Sequence, residues 1–164
     1  MKEIKQVSDL YIQEILDHYH FTAFQIIYDS DVDGFNKKNC YTKILNKHNL
    51  CFIIEIESQD LIGFITSTCI YFEDWIENNS PLFIIHNDQL IFEDETCSTS
   101  IKFSKTSDYF FGIHSFCGLL MNSDCSISLV FWEKHKILNQ HPNCLYFFQN
   151  QMDKISRIIV CVVE

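Results

Sequence analysis

From Phe24 to Asn36 the chain reads Phe-Gln-Ile-Ile-Tyr-Asp-Ser-Asp-Val-Asp-Gly-Phe-Asn, and this stretch restricts the fold more than any other. Phe24, Ile26, Ile27 and Tyr28 form an apolar strand that runs into an acidic turn of Asp29, Asp31 and Asp33. Gly34 closes the turn, because glycine takes positive φ without a Cβ clash and an aspartate can bond its own backbone. Phe35 returns the chain to the core, and Asn36 caps a helix over Asn36–Leu45.

Around this unit the pattern is mostly strand. Residues 8–20 read as a helix, with Ile12, Ile15, Leu16 and Tyr19 at helical spacing and Ser8 as N-cap. Asn46-Lys-His-Asn49 is a polar turn. Leu50–Glu57 and Leu61–Thr68 read as a hairpin, and Gly63 inside it marks a bulge or a close backbone approach. Leu82–His86 and Gln89–Phe92 form a second hairpin across Asn87-Asp88. Ser100–Phe103, Phe110–Ile113, Ser126–Phe131 and Ile158–Val163 complete the strand candidates. Many short strands and few helices predict a mainly β domain with flanking helices (α+β), built as two antiparallel β-sheets packed as a sandwich. With 164 residues, 4 Gly and 2 Pro, the chain predicts one domain over 1–164, a helix at 8–20 preceding a β core at 24–163.

Charge and cysteine usage narrow the function classes. Twelve basic and 22 acidic residues give a formal charge of −10, a field that repels phosphate backbones and anionic lipid. Nucleic acid is therefore not an expected partner. No apolar run reaches the roughly 20 residues of a membrane span, and the N-terminal segment has no apolar signal region, so no membrane insertion and an intracellular, cytoplasmic location are expected. In such a location the 8 cysteines read as buried, reduced thiols rather than a disulfide framework.

Candidate chemistry is sparse. His114, Cys117 and Cys125 lack the paired short spacings of a zinc site. Asp29, Asp31 and Asp33 alternate like calcium ligands and Gly34 falls at the sixth position, but Cys40 stands where the bidentate glutamate belongs. A turn held by aspartate side chains is the better reading. No nucleophile signature surrounds any serine or cysteine. No catalytic residue, metal or cofactor is expected.

The opening strand, Asp33-Gly34-Phe35 turn and capped helix resemble the start of the TLDc domain, the module of the oxidation-resistance proteins. Further segments follow in the family's order. Asn46–Ile54 resembles its turn and apolar strand, and Ile62-Gly63-Phe64 its return strand. Trp75 falls near the tryptophan of its next loop, and Ser80-Pro-Leu-Phe-Ile-Ile resembles a later strand. Asp108–Gly112, Gly118–Met121 and Arg157–Val163 resemble its closing segments. The likeness spans about residues 8–163, with departures: Phe64 replaces the second Gly of a pair, Gly118 replaces an Asp, and Ser107-Asp108 stands for Gly-Pro. The chain resembles a divergent, stand-alone member.

That resemblance implies a non-catalytic protein–protein interaction domain, with a role in the oxidative-stress response and in binding the vacuolar proton-pumping ATPase (V-ATPase). Its motif and turn residues here are Asp29, Asp33, Gly34, Phe35, Gly63 and Gly112. Trp75, with Glu73 and Asp74 in an acidic loop, is a candidate partner-binding patch, since an aromatic anchor in a charged rim suits a basic partner. The family's label also raises a thiol-dependent, peroxide-consuming enzyme as the alternative. Cys40, after Lys37 and Lys38 near a helix start, is the candidate redox thiol. A homo-oligomer joined through an exposed sheet edge is the third reading.

Overall fold

The computed structural model describes residues 7–57, 60–70, 75–78, 82–86, 89–92, 99–102, 109–113, 117–122, 126–131 and 153–164. The helix α1 (Val7–His18) is followed by the strand β1 (Phe24–Asp29), a single helical turn α2 (Ser30–Asp33) and the helix α3 (Lys37–Ile44). Among the described residues ten further strands follow. They are β2 (Leu50–Ile56), β3 (Leu61–Thr66), β4 (Trp75–Asn78), β5 (Leu82–His86) and β6 (Gln89–Phe92). The remainder are β7 (Thr99–Lys102), β8 (Tyr109–Ile113), β9 (Cys117–Met121), β10 (Ile127–Phe131) and β11 (Asp153–Val163). All pairings among the described residues are antiparallel, and the chain is mainly β with flanking helices.

The long strand β11 organises the sheet. The ladder runs β4-β7-β8-β9-β10-β11-β2-β3-β5-β6, and β1 also pairs with β11. The first residues of β11 pair with β10 (Leu129 with Asp153, Ser128 with Lys154). Its last residues pair with β1, Tyr28 opposite Val160 and Phe24 opposite Val163. A register irregularity between Ile155 and Arg157 separates the two uses, and such bulges let one strand serve two sheet directions.

Alternation along β11 and β2 explains two cores. Leu50, Phe52, Ile54, Ile158 and Val160 face one side, with Phe64 and Ile84. Phe110, Phe111 and Ile127 from the other arm of the ladder join them there. The Phe111 ring lies 5.6 Å from that of Phe52 and 5.8 Å from that of Phe64, edge to face, so rings from β2, β3 and β8 pack together in this core. The α3 residues Cys40, Tyr41 and Ile44 close its end. Cys51, Ile53, Ile159, Cys161 and Val163 face the other side, under Ile15 and Leu16 of α1. With both faces covered, every residue of β2 is buried, which is why that strand reads as an almost unbroken apolar run.

Several expectations need correction. Ser8 lies inside α1 rather than capping it. The acidic turn contains the helical turn α2. Trp75 starts a strand rather than lying in a loop, and β9 is a strand that apolar pattern alone did not single out. The last strand begins at Asp153, not Ile158, and β3 ends at Thr66, not Thr68. Two glycine readings agree with the backbone. Gly34 has φ of +69° and ψ of 167°, a region essentially reserved for glycine. At Gly63 a Cβ would overlap the Phe83 ring and sit 2.6 Å from the Phe52 carbonyl oxygen. The turn Asn46–Asn49 places both end asparagines at positive φ, 60° and 52°, which asparagine tolerates.

Candidate functional site

Four of the motif residues, Asp29, Asp33, Gly34 and Phe35, lie together where β1 ends. Asp29 is the last residue of β1 and the N-cap of α2, its carboxylate accepting from the Asp31 N–H. The same carboxylate is gripped by Arg157 of β11. Nε donates to Oδ1 at 2.9 Å and Nη2 to Oδ2 at 2.6 Å, the two-pronged geometry suited to a planar guanidinium. Both side chains are only 12% exposed, so this pair is largely desolvated. The Arg157 hydrogen bond holds the Asp29 carboxyl below the usual range despite burial, which acts the other way. Asp31, more exposed, stands 3.6 Å from Arg157 Nε. Ser30 beside them is buried, and its Oγ accepts from the Ile158 N–H at 2.8 Å. Strand β11 is thus bonded to the turn by one side chain and one backbone group.

Asp33 performs the matching task on the other flank. Its Oδ2 accepts from the Asp29 N–H at 3.1 Å, and its Oδ1 accepts from Lys43 Nζ at 2.6 Å and Asn39 Nδ2 at 3.4 Å. The Lys43 hydrogen bond, followed by that of the Asp29 amide, holds the Asp33 carboxyl below the usual carboxylate range. Tyr28 O–H donates to the Gly34 carbonyl at 2.7 Å, with Lys43 Nζ 5.9 Å from the ring centroid. Burial pushes the Tyr28 phenol far up, so it stays neutral. Asn36 caps α3 by accepting from the Asn39 N–H. Phe35 packs against the main core.

This arrangement locks a turn. Asp29 and Asp33 each accept from a cationic side chain and from a backbone N–H of the turn. Among the described residues no group of three or more His, Cys, Asp or Glu is placed to hold a metal ion. Asp29 and Asp33, two of the three aspartates with calcium-like spacing, bond the backbone of the turn itself.

Cys40 is not the exposed, low-pKa thiol that redox chemistry needs. It is 1% exposed, and burial, followed by the Asp33 charge, pushes its thiol far up. The nearby Lys43 charge acts in the opposite direction and more weakly. Helix α3 turns the thiol inward with Tyr41 and Ile44. Cys51 and Cys161, opposite each other on β2 and β11, are also buried, and Cys161 is pushed up to about 12 by burial. Of the remaining motif residues, Gly63 lies in β3 and Gly112 in β8, opposite Gly118 of β9. The backbone of Trp75 pairs with Lys102, whereas Glu73 and Asp74 lie outside the described residues. His114 and Cys125 lie outside them too.

Arg157 and Lys43 are the partners that motif reading missed. One signal was available: Arg157 is the sole arginine of the chain, and it opens an apolar strand. An ion in that setting needs a counter-ion.

No family model matches this chain, and no curated protein matches it. Among the described residues, no helix is long and apolar enough to cross a membrane.

Proposed function

We propose that this chain is a non-catalytic protein–protein interaction domain of the TLDc type, with its two sheet arms forming a sandwich. Its role is in the oxidative-stress response, through binding to the vacuolar proton-pumping ATPase. The observation that carries the reading is the unit built from β1, the Asp33-Gly34-Phe35 turn and the capped helix α3. Its acidic side chains are consumed in holding the turn, which supports a scaffold rather than a reaction centre. The charge of −10 supports a basic face on the partner, approached by electrostatic steering. A cytoplasmic location belongs to the same reading.

Peroxide consumption through Cys40 is disfavoured, because the thiolate is the reactive species and burial suppresses it. The test is affinity capture of the tagged domain from its own cell lysate, with mass spectrometry of the retained proteins. Proton-pump subunits enriched over an unrelated acidic β-domain of similar charge support the reading. Their absence, together with peroxide turnover by the pure protein, would replace it with thiol chemistry.

A further inference from the structure

Strand β1 has one edge paired with β11, and the other edge has two open rungs. Ala23 and Glu164 exchange backbone hydrogen bonds, Ala23 N–H to the Glu164 oxygen at 3.2 Å and Glu164 N–H to the Ala23 oxygen at 3.0 Å. Ala23 therefore faces β11. Alternation along an antiparallel ladder then turns Gln25, opposite Val162, toward β11, and turns Phe24 and Ile26 away from it. The other strand of the same ladder agrees: Val163 N–H donates to Asn49 on the β2 side, so Val162 faces β1. Beyond the bulge between Ile26 and Tyr28, Asp29 also faces outward, and its N–H is taken by Asp33. The acidic turn thus closes the edge at one end. Among the described residues nothing takes the outward N–H and C=O groups of Phe24 and Ile26.

The side chains at those rungs are apolar and partly exposed. Phe24 is 43% and Ile26 42% exposed. Directly opposed residues share a face, so the two stand beside Val163 and Cys161, on the face that α1 covers further in. A cavity of about 220 Å³ opens at the start of the strip, lined by Ala23, Phe24, Gln25, Val162 and Glu164. Free backbone groups beside a half-exposed apolar pair are what an added strand requires.

We infer that β1 accepts an extended basic segment of a partner protein as an additional strand, with large apolar side chains at alternate positions resting on Phe24 and Ile26. This rests on the interaction-domain reading and specifies its contact. Charge selects the occupant. The domain carries −10, and exposed Glu164 and Asp31 stand beyond the two ends of the strip. A second copy would bring an equal negative charge, and two rungs fall far short of the roughly 800 Å² per partner that stable dimers bury. A short cationic strand meets both conditions.

The test uses a fluorescein-labelled peptide, Lys-Ile-Lys-Phe-Lys-Ile-Lys, titrated into the purified chain and read by anisotropy and amide hydrogen exchange. Expected results are saturable binding that weakens with salt, and slowed exchange at Phe24 and Ile26. An analogue with alternate amides N-methylated, which cannot pair as a strand, should lose binding. Ile26→Pro removes an outward N–H without touching the rungs at Ala23 and Gln25, and should weaken binding about tenfold or more. Should that variant fail to fold, Ile26→Lys supplies the same comparison by replacing the apolar contact with a repelling charge. Absence of peptide binding, or equal binding of the N-methylated analogue, overturns the inference. So does a dimer whose dissociation exposes the Ile26 amide, since the edge would then belong to a second copy. Undiminished capture of proton-pump subunits by Ile26→Pro would remove only this contact and leave the interaction-domain reading standing.

Discussion

Replacing Arg157 by methionine isolates the bond that ties the last strand to the acidic turn. Methionine keeps most of the aliphatic volume and removes the guanidinium. Asp29, with a side chain 12% exposed, then loses both charged hydrogen bonds and keeps the weaker one from the Asp31 N–H. Removing one partner of a largely buried ion pair costs about 3–5 kcal/mol. For a chain of this length that is roughly a 10 °C fall in Tm. The sign of the pH dependence follows from Asp29, whose folded-state pKa lies below its ordinary value of 3.8. A depressed carboxyl contributes stability above its unfolded pKa and loses it as pH falls through the folded value. In Arg157→Met that depression is relieved, so the deficit should be full at pH 7 and shrink below about pH 4. Urea unfolding at neutral and acid pH measures both quantities. Asp29→Asn combined with Arg157→Met should be less destabilised than the sum of the single changes, because the pair is removed together. A deficit under about 1 kcal/mol, or one that does not change with pH, would show that the bond is a weak surface pair.

Gly34→Val should destabilise the fold by about 1–3 kcal/mol, and Gly34→Asn should give little relief, because φ of +69° with ψ of 167° lies outside the left-handed helical region that asparagine tolerates; thermal unfolding of both checks it. Gly63→Ala should cost about 1–3 kcal/mol by overpacking against Phe83 and the Phe52 carbonyl, measured by urea unfolding. Cys40, Cys51 and Cys161 should resist iodoacetamide in the native protein and react on unfolding, as peptide mass spectrometry would show; rapid native alkylation of Cys40 would contradict its burial.

Turn chemistry made the opening unit legible in the sequence. An Asp-Gly step, a following apolar residue and an asparagine cap are local requirements, and residues 24–44 meet them within a few positions of one another. Gly63 was legible for a similar reason, since glycine inside an apolar strand points to close packing. The counter-ions were harder to read. Asp29 and Arg157 are separated by 128 positions, and only the register of β1 against β11 brings them together. Cys40 misleads because the preceding lysines suggest an exposed, electropositive setting, while α3 packs the thiol into the core. The extent of β11 was hidden because its first part, Asp153–Arg157, is polar enough to read as a turn until β10 and β2 pair with it. Ser8 reads as a cap from composition alone, but α1 already includes Val7.

The most direct measurement is the mass of complexes formed when the purified chain is mixed with the purified peripheral sector of a proton-pumping ATPase, read particle by particle at low micromolar concentration. The proposed function predicts a shift by one domain mass, 19.4 kDa, that is retained in Cys40→Ala and weakened by added salt. No shift at any ratio, with hydrogen peroxide consumed by the chain alone, would contradict the interaction-domain account.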